Sequence, residues 1–130
     1  MRGLLDTSVF VAFESGRSID VDALPDESAI SVVTLAELEA GVLAASTTES
    51  RSIRMGTLRR VNEIELIGVD ESVARMWALM RVTLGRGGHK INLNDLWIAA
   101  TAASRGMPVV TQDSDFGPVE GIGGLQVIRV

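Results

Sequence analysis

Five acidic residues stand where the chain passes from one local pattern to the next: Asp6, Glu37, Asp95, Asp113 and Asp115. Asp6 closes the apolar run Gly3-Leu4-Leu5, and Glu37 falls in the first turn of a helical stretch. Asp95 opens an alanine-rich stretch, while Asp113 and Asp115 follow Pro108-Val109-Val110-Thr111. Magnesium and manganese prefer hard oxygen ligands, so carboxylates gathered in space suit them. With no cysteine and a single histidine, His89, the chain lacks the usual nitrogen and sulfur ligands of a zinc site. Two divalent ions roughly 3.5–4 Å apart generate hydroxide and stabilise a leaving oxygen, which is the chemistry of phosphodiester cleavage. The same ions serve monoester hydrolysis, so a metal-dependent phosphatase stays open beside a nuclease.

Each acid also has a plain structural reading. Asp6 can cap a helix. Glu37 follows Thr34 at the spacing of a capping box. Asp95 can complement the positive end of its helix, and Asp113 and Asp115 suit a turn. The functional reading requires all of them to meet on one rim. Ser8 and Thr111 can orient a carboxylate or a metal-bound water from behind the ligands, or simply bond to backbone. His89 lies in a glycine-rich loop and reads as solvated. Arg51, Arg54, Arg59 and Arg60 read as a solvated helix face, with RNA phosphate or an acidic partner as the alternative. Met76, Trp77 and Met80 recur at helical spacing and read as core.

The elements that must position these residues alternate in type. Short apolar strands are expected at Gly3–Asp6, Ala29–Val32, Glu65–Gly68, Pro108–Thr111 and Gln126–Arg129. Helices are expected from Thr7 or Ser8 to Gly16, from a Thr34 cap to Ala44, from Glu49 to Asn62, from Asp70 to Leu84, and from Leu93 or Asn94 to Ala103. Residues 17–28 read as polar and turn-rich, and 85–92 as a glycine-rich loop. Strands alternating with helices in a chain of 130 residues imply one α/β domain over 1–130: a short, mostly parallel sheet with helices on both faces. Ligands of such sheets bind beyond the carboxyl ends of the strands, where strand order reverses. Asp6 and Asp113 lie just past two such ends, which is where the helices carrying Glu37 and Asp95 begin.

Composition narrows the setting. Hydrophobic residues make up 46% of the chain, enough for one core, and no apolar run reaches the 18 residues of a membrane span. An acid at position 6 interrupts any secretory apolar segment, and the absence of cysteine agrees with a cytoplasmic home. A net charge of −5 argues against a general nucleic-acid coating protein, though metal-binding carboxylates inflate such a formal count.

Four segments together resemble the PIN-domain family, and within it the VapC-type toxins of bacterial toxin–antitoxin pairs. They are Leu5-Asp6-Thr7-Ser8, Ser31-Val32-Val33-Thr34-Leu35-Ala36-Glu37-Leu38, Leu93-Asn94-Asp95-Leu96-Trp97-Ile98-Ala99-Ala100-Thr101-Ala102, and Val110-Thr111-Gln112-Asp113-Ser114-Asp115-Phe116. The resemblance spans nearly the whole chain and implies a Mg²⁺- or Mn²⁺-dependent endoribonuclease that inhibits translation by cutting RNA. It further implies a VapB-type antitoxin partner and a homodimer. Asp6, Glu37, Asp95 and Asp113 match the family's catalytic, metal-binding acids. Asp115 matches the Asp of an Asp-Phe pair that here follows Thr111 more closely than usual, leaving Asp113 and Asp115 as rival ligands, with Asp113 preferred.

Two further readings come from other classes. A phosphoacceptor signalling domain would need paired acids after the first strand and a lysine near the last. Here a single acid follows that strand, and the only lysine, Lys90, precedes Asp95. A catalytically silent PIN-like binding module would be expected to lack some of the acids.

Overall fold

The computed structural model describes residues 1–130. Strands β1 (Arg2–Leu5), β2 (Glu27–Ser31), β3 (Glu65–Ile67), β4 (Val109–Thr111) and β5 (Val127–Arg129) form one sheet in the order β3-β2-β1-β4-β5. Every neighbouring pair is parallel. Five α-helices cover it: α1 (Thr7–Ser15), α2 (Val32–Leu43), α3 (Thr48–Val61), α4 (Glu71–Arg86) and α5 (Leu93–Ser104). The α/β reading holds, with the sheet parallel throughout.

Strand alternation divides the interior in two. Successive side chains of a strand point to opposite faces. Leu4 of β1 therefore joins Ala29, Val109 and the buried residues of α4 and α5 on one side. Leu5 joins Ile30, Val110 and Val9, Phe10, Leu38 and Val61 on the other. Helix α5 is apolar on almost every side and correspondingly sunk, with Leu96, Ile98, Ala99, Ala100, Thr101 and Ala102 all buried. The expected core stripe on α4 is present. Met80 is fully buried, and Trp77 stacks on Trp97 with ring centroids 4.9 Å apart. The buried indole N–H of Trp77 has no hydrogen-bond partner.

The strand order places the site. From β1 the chain moves outward through β2 to β3, then crosses to β4 on the other side of β1 and ends at β5. The switch point is the β1–β4 junction, where Leu4 pairs with Val109 and Leu5 with Val110. Asp6 follows β1 directly, and Asp113 lies two residues past β4.

Several helix starts differ from expectation, for one recurring reason: a polar side chain earlier in the chain reaches the first free N–H groups. Helix α1 is capped by Asp6, the plain structural reading of that acid, rather than by Thr7 or Ser8. Helix α2 begins at Val32, because the Ser31 hydroxyl accepts from the Val33 N–H at 3.0 Å. Val32, expected as the last residue of the second strand, is instead the first of the helix, and Thr34 sits inside the helix, buried. The Thr34–Glu37 capping box therefore does not form. Asn92, not Asn94, caps α5 through its Oδ1. Helix α4 runs through Gly85 to Arg86, and residues 17–28 include a short 3₁₀ turn, Val21–Ala23, and the first residues of β2.

Three of the four arginines on α3 donate to backbone carbonyls. Arg54 donates to the Gly41 carbonyl at 2.6 Å and Arg51 to that of Ala45 at 3.4 Å, completing the carboxyl end of α2. Arg60 donates to Gly56 within its own helix.

Cavity cost gives a test of this core. Ile98→Ala, at a fully buried position, is expected to lower unfolding free energy by about 2–5 kcal/mol in urea titration. Leu43→Ala, at a position 80% exposed, should change it by less than about 0.5 kcal/mol.

Candidate active site

Asp6 is the anchor of the carboxyl edge. It is 2% exposed, yet its Oδ2 accepts from the Ser8 hydroxyl at 2.7 Å and the Thr111 hydroxyl at 3.0 Å. Burial pushes its pKa up, and the hydrogen bonds from Ser8 and Thr111 oppose that rise. The two hydroxyl oxygens lie 3.1 Å apart. Ser8 Oγ also accepts from the Gln112 N–H, and Thr111 Oγ1 from the Asp113 N–H, each at 3.0 Å. Ser8 and Thr111 thus do both things expected of them: they hold a carboxylate and they satisfy backbone. Their network fastens the end of β1 to the end of β4.

Glu37 projects from the first half of α2 and receives the Thr7 hydroxyl on Oε1 at 2.7 Å. Asp95 lies in the first turn of α5, where its N–H is held by Asn92. Its pKa is raised to about 7, first by burial and then by the negative charges of Asp6, Glu37, Asp115 and Asp113. Asp113 is raised as well, chiefly by burial and then by Asp6 and Asp115, while Arg17 and Arg129 pull it down.

Asp6, Glu37, Asp95 and Asp113 line a single open cavity of about 270 Å³, together with Thr7, Ser8, Val11 and Arg17. Asp115 is exposed and faces an adjoining hollow with Lys90, Asn92, Ser114 and the far side of Asp95. His89 lies elsewhere, near Arg81 and Lys90. A larger hollow of about 500 Å³ between α1 and α3 is walled mostly by apolar residues such as Phe10, Phe13, Leu24 and Ile53. It brings no acids together, so size alone does not mark the chemistry.

The donor set suits a hard divalent cation: four carboxylates, two hydroxyls behind one of them, and no softer ligand in the cavity. No three acids stand together in a ready metal-holding arrangement. The expected four-acid cluster is thus a shared cavity rather than a preassembled chelate. Like charges in one cavity favour separation, and a cation would draw them inward through rotation of side chains already at the wall.

Two residues to which the sequence assigns no site role, Thr7 and Arg17, touch this cavity. Along the chain Thr7 reads as a possible cap, whereas its bond to Glu37 joins positions 30 apart. Arg17 lies in a turn-rich stretch whose path back toward Asp113 local pattern does not encode. The neighbouring glycine offers the only hint: Gly16 takes a left-handed φ of 71° to end α1 and turn the chain.

The sign of the Asp95 shift gives a pH prediction. A carboxyl whose folded pKa exceeds its unfolded value contributes no penalty at low pH. The penalty grows as pH rises from about 4 through about 7, where the folded side chain ionises. In EDTA, Asp95→Asn is expected to raise Tm by several degrees at pH 8 and very little at pH 4.5. Equal Tm changes at both pH values would show that Asp95 does not carry the shift.

Comparison with known proteins places this geometry in a family. A PIN domain profile matches residues 3–121. Ribonuclease VapC5 of Mycobacterium tuberculosis is 53% identical over 128 residues, spanning 98% of this chain and 95% of that protein. Ribonuclease VapC4 of the same organism is 42% identical over 116 residues, 88% of each chain. The crystal structure of VapBC-5 from Mycobacterium tuberculosis, a member of the VapBC family of toxin–antitoxin systems, superimposes with a TM-score of 0.93 at 50% identity, covering 99% of this chain and 98% of that one. With its profile match, its near full-length relatives and its acids at the β1–β4 switch point, this chain belongs to the PIN-domain family and, within it, to the VapC-type proteins.

Proposed function

We propose that this chain is a divalent-metal-dependent endoribonuclease, the toxin of a VapBC-type pair, which inhibits translation by cleaving RNA. The observation that carries the reading is that Asp6, Glu37, Asp95 and Asp113, drawn from four separate parts of the chain, wall one cavity at the switch point of a parallel sheet. The ribonuclease names of its VapC relatives supply the substrate class, and the toxin–antitoxin assembly of the VapBC-5 structure supplies the partner, a VapB-type antitoxin. A homodimer belongs to the same reading. No helix is long and apolar enough to cross a membrane.

Those four acids would hold Mg²⁺ or Mn²⁺, with Asp113 favoured over Asp115 because it lines the same cavity as the other three. Bound there, such ions supply an activated water and neutralise charge at the phosphate. The chain's own residues do the positioning. Ser8 and Thr111 fix Asp6 against rotation. Asp95, its pKa raised to about 7, would lose its proton on holding a cation. Arg17 is exposed at the cavity wall among the acids and offers a guanidinium to an RNA phosphate beside the cut.

Labelled RNA incubated with the protein in Mg²⁺, Mn²⁺ or EDTA tests this. Cleavage is expected with either metal and none with EDTA. Asp6→Asn should lower the rate by more than about 100-fold, beyond the 10–100-fold typical of a residue acting only behind the ligands. The same substitution should relieve growth arrest when the chain is expressed without its antitoxin. Turnover of a phosphate monoester without RNA cleavage would favour the phosphatase, and no turnover of either would favour the silent module.

Arg17→Ala is expected to raise KM for RNA several-fold with kcat within about two-fold. It should also reduce the slope of log affinity against log salt by about 0.7–1, the share of one phosphate contact. An unchanged KM and salt slope would remove Arg17 from the RNA path.

A further inference from the structure

Two threonines that look like helix caps are free of that task. Asp6 caps α1, so the hydroxyl of Thr7, the first residue of α1, is not needed there. Ser31 caps α2, so Thr34 is not needed there. The two meet across the α1–α2 contact instead. Thr7 Oγ1 lies 2.7 Å from Glu37 Oε1 and 3.2 Å from Thr34 Oγ1. A threonine hydroxyl has one proton to donate. The carboxylate is nearer and charged, so the proton goes to Glu37. Thr34, fully buried, waits on the other side as a second acceptor.

We infer that Thr7 is a positioning residue for Glu37, holding its carboxylate at the cavity wall and turning its hydroxyl to donate to Thr34 instead when Glu37 turns toward a divalent cation. The inference rests on the metal-dependent reading above and deepens it. Without Thr7, Glu37 samples several rotamers and must be ordered at the moment of binding. Without Thr34, turning Glu37 leaves a half-buried hydroxyl with no partner. The pair lets one carboxylate be both held and released, which suits a cavity whose acids share a wall without being drawn together in advance.

Full-length variants test this through Mn²⁺ binding by calorimetry without RNA, and through kcat and KM with RNA. Thr7→Val, equal in shape but without the hydroxyl, should weaken Mn²⁺ binding by about 10-fold, at the low end for residues that orient a ligand. It should lower kcat similarly while KM for RNA stays within about two-fold. Thr7→Ser, which keeps the hydroxyl, should restore both to within about three-fold. Thr7→Ala, hydroxyl-free and a better helix former, should behave like Thr7→Val and stands in for it should the valine variant fold poorly. Thr34→Val should weaken Mn²⁺ binding a few-fold alone and add nothing in a Thr7→Val background. A Thr7→Val or Thr7→Ala protein that binds Mn²⁺ as wild type does, or a Thr7→Ser protein as impaired as Thr7→Val, overturns the inference alone. A wild-type chain that binds no Mn²⁺ overturns the functional reading and this inference together.

Discussion

Negative charge confined to one small cavity is the constraint around which the site is arranged. Four carboxylates that share a wall repel one another, and Asp6 is buried and Asp95 half-buried as well. The chain offsets part of that cost with hydroxyl groups. Ser8 and Thr111 donate to Asp6, and Thr7 donates to Glu37. Asp95 receives no side-chain donor and carries a pKa raised to about 7. Burial and the charges of all four other acids combine on it, so a bound cation would relieve it most.

The sheet makes such crowding tolerable. Asp6 and Thr111 belong to adjacent central positions, the end of β1 and the end of β4, each supported by cores on both faces. Side chains mounted on the ends of rigid elements are held more narrowly than those on loops. Helix α5 adds to this, since its buried alanines pack its backbone against the sheet and leave Asp95 little freedom to retreat into solvent. The acid that hangs from the following turn, Asp115, is correspondingly exposed and faces a different hollow. Rigidity and clustered charge coincide at the β1–β4 junction, whereas the mostly apolar hollow between α1 and α3 holds a single acid, Glu14.

The arginines illustrate how a surface charge reading can divide. On α3, Arg54 turns back to a carbonyl in the last turn of α2 and Arg51 to one just past its end, local work at a helix end. Arg17, in a stretch with no periodic pattern, lies on the acidic cavity. Charge density along the sequence pointed to the former group, whereas proximity in space singles out the latter.

The sequence by itself determined the elements and their order. Alternating apolar strands and helical periods follow from local spacing, and the parallel sheet follows from that alternation. The acids at element ends could be named for the same reason, since position relative to a strand end is a local property. Tertiary structure alone decided which polar side chain satisfies which backbone group or carboxylate. Asp6 and Ser31 took the caps assigned to Thr7 or Ser8 and to Thr34, because a helix begins where an oxygen first reaches its free N–H groups. The freed threonines then found each other and Glu37. Thr7 to Glu37, Thr111 to Asp6 and Arg17 to the cavity are bonds or approaches between distant positions. Such pairings depend on how helices pack across the sheet, and no periodicity along the chain records them.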